Sequence, residues 1–360
     1  MKRILMIPNK SNKNYYLILL ENALNKRGMK IEFSKRLPFW FPILQNTINL
    51  DSNILHIHWI FSIAGFNLKN KIKFLLKFLI FIIDILIVKF ILRYKIIWTI
   101  HNTYSHESFR PKIERFGRIF FSKLVNRLIV HCDQAKKVII KEYKVSPNKI
   151  VVIPIGTYED IYKNDNNKEQ ARKILDLNKE DFVFLYFGPI RPYKGVPDLI
   201  KCFKSINPNN NVKLLIIGNP LNNKIRKTIL DQVKDLNSIY IDFRFIPNDE
   251  IQIYMNSADV VVFPYRKILT SAGVLLAMSF GKAIIAPKIG CLIDILDHKN
   301  AFLYSPEDSS GLTNSLIDSI NNPERIKEMS LFNQKYIKNF SWDKIAIKTI
   351  SLYRWLSTKR

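Results

Sequence analysis

The chain has 360 residues, 48% of them hydrophobic and 12% aromatic. That exceeds one comfortable core and excludes general disorder, so two domains are expected. Lys and Arg number 56 against 30 acids, a formal net charge of +26. The excess is uneven: residues 1–155 hold 27 basic and 8 acidic residues, whereas 156–360 hold 29 and 22. The first half therefore reads as facing something anionic, either nucleic acid or an anionic membrane face. No nucleic-acid recognition motif accompanies the charge, and the aromatics lie mainly in apolar runs. A basic nucleic-acid-binding protein is thus the second reading, and no nucleic-acid partner is expected.

The opening Met1-Lys2-Arg3-Ile4-Leu5-Met6-Ile7-Pro8 starts basic, but its apolar part is too short for a signal peptide. It reads as a first parallel strand, and the protein as cytoplasmic. Further strands are expected at Ile54–Ile57, Ile96–Ile100, Leu128–His131 and Ile150–Ile153, with helices near 14–27, 69–94, 111–127 and 134–143. Polar, breaker-rich residues 156–168 read as a linker. The rhythm then repeats, with strands at Phe182–Tyr186, Val212–Ile217, Ile239–Asp242, Val260–Phe263, Ala283–Ala286 and Ala301–Leu303, separated by helical patterns. This alternation predicts an α/β chain of two Rossmann-like, doubly wound domains, whose strand C-termini would line a cleft. The expected division is 1–155 plus a returning C-terminal helix 341–360, and 156–340.

Residues just past the strand ends carry the chemistry. After the strand 182–186 comes Phe187-Gly188-Pro189-Ile190-Arg191-Pro192-Tyr193-Lys194-Gly195, in which two cations precede a helix start. A helix N-terminus with two cations suits a diphosphate. Phe263-Pro264-Tyr265-Arg266-Lys267-Ile268-Leu269-Thr270-Ser271-Ala272-Gly273 gives a second helix start, with Ser271, Ala272 and Gly273 small enough to admit phosphate to the backbone. Gly218 and Asn219 close a third strand. In the first half, Asn9, His58, Trp59, His101, Asn102 and His131 occupy the corresponding places, and four of the six histidines (58, 101, 106, 131) lie at or near such ends. The loop from Thr99 to Glu107 offers His101, His106 and Glu107, enough for base catalysis on a hydroxyl. Cys132, Cys202 and Cys291 follow no metal-ligand spacing, and no metal is expected.

The ordered set Val152–Gly156, Phe187–Gly195, Ala258–Pro264, Ser279–Ala286 and Phe340–Tyr353 resembles the GT-B glycosyltransferases of the GT4, or group 1, type. The resemblance implies transfer of a sugar from a UDP- or GDP-linked donor to a saccharide or lipid-linked saccharide in cell-envelope polysaccharide synthesis. No cofactor is implied beyond that nucleotide-sugar substrate. It assigns the donor diphosphate to Arg191, Lys194, Gly188, Ser271, Ala272 and Gly273. Donor nucleoside and sugar fall to Gly218, Asn219, Pro264, Tyr265 and Thr270. Of the first half the resemblance matches only His101, as a cleft-facing histidine near the reacting sugar; Asn9, His58, Trp59 and Asn102 are expected at the acceptor from their places past the strand ends, and Glu107 joins His101 as a catalytic candidate from its place in the same loop. A GT-B epimerase or hydrolase of nucleotide sugars is a further alternative. The family's pair of glutamates before and within the helix ending at Gly281 is replaced here by Ile268 and Leu276, which leaves donor-sugar contacts and stereochemistry open.

Residues 69–95 form one more unusual segment. Lys69, Lys73, Lys77, Asp84 and Lys95 fall within a stripe of about 80°, and most of the rest is apolar. Charges interrupt every long apolar run, which argues against a membrane span. The helix is expected either to pack on the sheet or to dock one face in an anionic membrane interface.

Overall fold

The computed structural model describes residues 3–358 other than 10–13, 36, 49, 106, 107, 160, 207–210 and 235. The chain divides into two compact units, Met1–Gly156 with Phe340–Arg360, and Thr157–Asn339.

The first unit runs β1 (Arg3–Ile7), α1 (Tyr15–Lys26), β2 (Ile31–Phe33), α2 (Leu44–Thr47), β3 (Ser52–Ile57), α3 (Lys71–Leu86), β4 (Lys95–Thr99), α4 (Pro111–Leu124), β5 (Arg127–Val130), α5 (Asp133–Tyr143) and β6 (Ile150–Val152). Its sheet is parallel in the order β2-β1-β3-β4-β5-β6. The second unit continues with α6 (Lys168–Ile174), β7 (Phe182–Phe187), α7 (Val196–Ser205), β8 (Val212–Ile217), α8 (Asn223–Val233), β9 (Ile239–Asp242), α9 (Ile251–Ser257) and β10 (Val260–Val262). It closes with α10 (Ala272–Ser279), β11 (Ala283–Pro287), α11 (Leu292–Ile295), β12 (Ala301–Tyr304), α12 (Gly311–Asn321) and α13 (Pro323–Tyr336). The order of its parallel sheet is β12-β11-β10-β7-β8-β9. Finally α14 (Trp342–Thr358) returns to the first unit.

Every expected strand is present, because strands covered on both faces read as unbroken apolar runs. The short β2 and four-residue α2 were not anticipated; so few residues give no periodicity to read. Two corrections come from packing. Residues 156–168 are no free linker: the amides of Asp165 and Asn166 donate to Gln252 Oε1 at 2.8 and 3.1 Å, and Asn256 Nδ2 donates to Asn164 Oδ1 at 2.7 Å. The expected helix 69–94 is α-helical only to Leu86 and passes into a π turn, Ile87–Ile91.

Packing also decides which way the polar residues of α3 face, which their spacing leaves open. Lys77 and Asp84 point inward, with Phe74, Phe78, Phe81 and Ile85. Asp84 accepts the amides of Ile43 and Leu44 at 2.7 Å each, and Lys77 Nζ donates to the carbonyls of Pro38 and Phe39 at 2.9 and 2.5 Å. These two members of the stripe hold down the 38–47 segment. Meanwhile Ile72, Leu75, Leu76, Leu79 and Ile83, at helical spacing, are exposed, and Phe90 and Ile91 continue the face, with Ile72 77% and Ile91 71% accessible. No helix among the described residues is long and apolar enough to cross a membrane.

Candidate active site

In the second unit three strand ends are pressed together by glycines. A Cβ on Gly218 (φ +141°) would lie 2.0 Å from the carbonyl oxygen of Gly188, and one on Gly195 (φ +71°) 1.8 Å from that of Pro264. Only glycine permits either approach. The β7 and β8 loops are then stitched by Ile190 N to Asn219 O (3.0 Å) and Leu221 N to Ile190 O (3.0 Å). Gly188 itself faces open space.

Arg191 and Lys194, the expected diphosphate ligands, are held differently. One Arg191 nitrogen donates to the carbonyls of Ile190 and Asn219, at 3.0 and 3.2 Å. Lys194 Nζ donates to the Tyr265 hydroxyl at 3.0 Å and sits 4.1 Å from that ring's centroid. The Tyr265 hydroxyl lies 3.1 Å from Ser271 Oγ, and Ser271 caps α10 by accepting the Val274 amide at 3.4 Å. Lys194, Tyr265 and Ser271 thus form one polar chain from the β7 loop to the start of α10. Tyr265 is only 3% exposed, so it acts here as a post for Lys194, and Pro264 is buried beside it. Ala272 is exposed, Gly273 and Thr270 half-buried, and the Asn219 residue exposed. The helix-start amides of Ala272 and Gly273 have no carbonyl one turn back within α10.

Asp198 in the first turn of α7 would oppose an anion there. Arg266 pairs with it through two bonds of 2.5 and 2.6 Å, which offsets that charge. The positions lacking the family's acids are Ile268, half-buried, and Leu276, 7% exposed inside α10. Leu276 belongs to the packed core of this unit, and α10 is apolar nearly all round.

In the first unit the sheet order puts β3, β4 and β5 side by side, so His58, His101 and His131 beyond their ends form a row. His131 Nδ1 lies 2.9 Å from the Ile153 carbonyl, His131 Nε2 is 3.1 Å from His101 Nδ1, and His101 Nε2 is 3.4 Å from His58 Nδ1. A carbonyl only accepts, so His131 carries its proton on Nδ1. With neutral rings, each proton then points the same way along the row, and the row ends at His58 Nε2, which is buried and has no partner among the described residues. Burial, followed by the neighbouring imidazoles, holds His58 and His101 well below the usual range. Burial also brings His131 down to about 4 despite its carbonyl bond.

Trp59 stacks on His101 with centroids 4.4 Å apart and planes at 11°. Tyr16 stands edge-on to His58, His101 and His131. Behind them His56, held down to about 3 by burial, bonds Tyr353 Oη at 2.6 Å and Thr99 Oγ1 at 2.7 Å. Asn9 is exposed; Asn102 is half-buried, and its carbonyl accepts from Arg118 at 3.2 Å. Glu107 and His106 lie outside the described residues. Among the described residues no group of three His, Cys, Asp or Glu side chains could hold a metal ion.

Sequence reading missed His56, Tyr16, Thr99 and Glu114. The alternation His56-Ile57-His58 was the available signal for the first, since i and i+2 share a strand face. Glu114 is fully buried and anchors Ser105 in the loop after β4, accepting Ser105 N, Ser105 Oγ and Arg118 Nε at 2.9, 2.7 and 2.7 Å. Burial raises its pKa, but Arg118 and the serine bonds outweigh that and hold it below the ordinary range.

Two family descriptions match adjacent parts of the chain: Glycosyltransferase Family 4 over residues 23–160, and Glycosyl transferases group 1 over 167–336. A curated relative, the lipopolysaccharide 1,2-N-acetylglucosaminetransferase of Salmonella typhimurium, is 25% identical over 215 residues, 57% of this chain and 56% of its own. The match therefore spans little more than half that relative's length. Among solved structures, sucrose-phosphate synthase from Thermosynechococcus elongatus superposes with a TM-score of 0.76 at 16% identity, covering 100% of both chains. Anabaena HepE in complex with UDP and glucose gives 0.75 at 16% identity, over 98% of this chain and 100% of that one. With both units matched in chain order, and the fold shared from end to end, the chain is a GT4-like glycosyltransferase of GT-B fold.

Proposed function

We propose that the protein transfers a sugar from a nucleotide-diphosphate sugar, UDP- or GDP-linked, to a saccharide or lipid-linked saccharide acceptor of the cell envelope, without a metal. The observation that carries this reading is the Lys194–Tyr265–Ser271 chain, which ties a cation to the start of α10. As the glycosidic bond to the leaving nucleotide breaks, negative charge grows on its diphosphate. Arg191, Lys194 and the first amides of α10 are the groups that stabilise it, and being pre-positioned they do so without reorganisation. With Ile268 and Leu276 in place of acids, diphosphate anchoring takes a larger share of donor binding. Gly188, Gly218, Asn219, Pro264 and Thr270 line the strand ends where nucleoside and sugar would lie.

On the acceptor side, His58, Trp59, His101, Asn9 and Asn102 supply an aromatic and polar wall. His101, neutral and bonded on both sides to other histidines, suits orientation and hydrogen bonding; Glu107 is the stronger candidate for the base. The complex of HepE with UDP and glucose supports a nucleotide-sugar donor, and the lipopolysaccharide relative supports an envelope acceptor. The exposed apolar face of α3 and the basic first unit support peripheral contact with the inner face of an anionic membrane.

A thermal-shift screen of UDP, GDP, ADP and their sugars tests the donor. The expected result is a UDP or GDP preference that Arg191→Ala abolishes, with kcat down about 100- to 1,000-fold and the melting temperature of the free protein unchanged. Near-normal turnover in that variant would sink the assignment. In the same assay His101→Ala and Glu107→Ala are each expected to lower kcat at least about tenfold at saturating donor. Sugar products formed from donor alone would instead indicate an epimerase or hydrolase.

A further inference from the structure

A cavity of about 510 Å³ opens at the other edge of the first sheet, before the strands rather than after them. Its walls come from the π turn preceding β4, the corner between α4 and β5, and the residues leading into β6. Among the described residues four cations line it, Lys89, Lys123, Arg127 and Lys149, and no acid does. None of the four pairs with an acid among the described residues. Instead Lys149 Nζ donates to the Lys123 carbonyl at 2.6 Å, Lys89 Nζ approaches Asn126 Oδ1 at 3.4 Å, and Arg127 donates to the Asn126 carbonyl at 2.8 Å. Burial, then Lys89 and Arg127, bring the Lys149 ammonium down to about 8. Such crowding is unfavourable unless an anion joins it. The Ser146 hydroxyl and two asparagine amides supply further donors. Phe90 belongs both to this cavity and to the exposed apolar face of α3.

We propose that this cavity receives the phosphate of an anionic phospholipid while the apolar face of α3 and the turn after it lie in the membrane interface. The proposal rests on the peripheral-membrane reading above and adds a defined headgroup site to it. The continuity through Phe90 is what selects a lipid over a soluble phosphate: the same segment offers acyl-chain contact and, one residue away at Lys89, a cation. Neither the histidine row nor the Arg191 loop takes part.

The test is cosedimentation of the full chain with phosphatidylcholine vesicles with and without phosphatidylglycerol. Three variants are compared: Lys89→Gln/Lys149→Gln in the cavity, Lys71→Gln/Lys73→Gln on the helix outside it, and Ile72→Ser/Leu79→Ser on the apolar face. Long-range charge alone predicts about a thirtyfold loss of anionic-vesicle affinity for either lysine pair. Direct phosphate contacts make the cavity pair lose about tenfold more than the helix pair. The apolar pair is expected to lose binding to both vesicle types. Because the cavity lysines repel their neighbours, that variant should melt no lower than the wild type, so misfolding cannot imitate the result. Equal losses from the two lysine pairs overturn the headgroup site and leave the membrane reading standing. Absence of wild-type binding to anionic vesicles overturns both. Stabilisation by free glycerol 3-phosphate without vesicle binding would make this a site for a soluble phosphate and overturn the lipid assignment.

Discussion

Lys194 shows how much of a site residue's role depends on what stands behind it. Its ammonium is fixed by one hydroxyl and one ring face of Tyr265, so a flexible four-carbon stem is ordered before any ligand arrives. Tyr265→Phe keeps the ring face and removes the hydroxyl shared with Ser271. Donor affinity is expected to fall about tenfold, the order of one hydrogen bond to a charged group, with little change in melting temperature. Isothermal titration with the preferred nucleotide checks this; unchanged affinity would show that Lys194 needs no post. The sequence made Arg191 and Lys194 legible because two cations and a glycine preceded a helix start. It could not separate Tyr265 as a support from Tyr265 as a nucleoside contact, since that depends on which way the ring packs.

At the scale of an element, α3 separates pattern from direction. The spacing of Lys77 and Asp84 defined a stripe, but periodicity says only that the stripe exists, not what it faces. The 38–47 segment decides it, by offering two amides to Asp84 and two carbonyls to Lys77. Burial pushes the Asp84 carboxyl up to about 6, against the pull of those amides and of Lys77. Asp84→Ala would leave both amides buried without an acceptor and is expected to cost about 2–4 kcal/mol in urea unfolding. Leu79→Ser on the exposed face is expected to stay within about 0.5 kcal/mol of wild type. The reverse ranking would mean that the apolar face, not the polar stripe, is the packed one.

At the scale of the whole molecule, the buried histidines make stability pH-dependent in a definite direction. His56 and His131 titrate near 3 and 4 when folded, below the unfolded value of about 6.5, so the unfolded chain binds more protons in acid. Their contribution is complete above about pH 6.5 and is lost as pH falls from there toward 4, at about 1.4 kcal/mol per pH unit for each ring. For His56 alone this amounts to about 2 kcal/mol at pH 5. The melting temperature should therefore drop between pH 7 and pH 5, and His56→Gln should flatten the slope; a level profile in the wild type would show that these rings protonate without unfolding. The two parallel α/β sheets and the anion-suited helix starts were determined by the sequence itself, because buried parallel strands and glycine-bounded turns leave local signatures that need no partner. Tertiary structure alone decided the direction of α3, the His131–His101–His58 row, the Tyr265 support and the basic cavity at the far sheet edge. Each joins residues separated by tens of positions, and only the order of the strands and the packing of the helices bring them within hydrogen-bonding distance or onto one cavity.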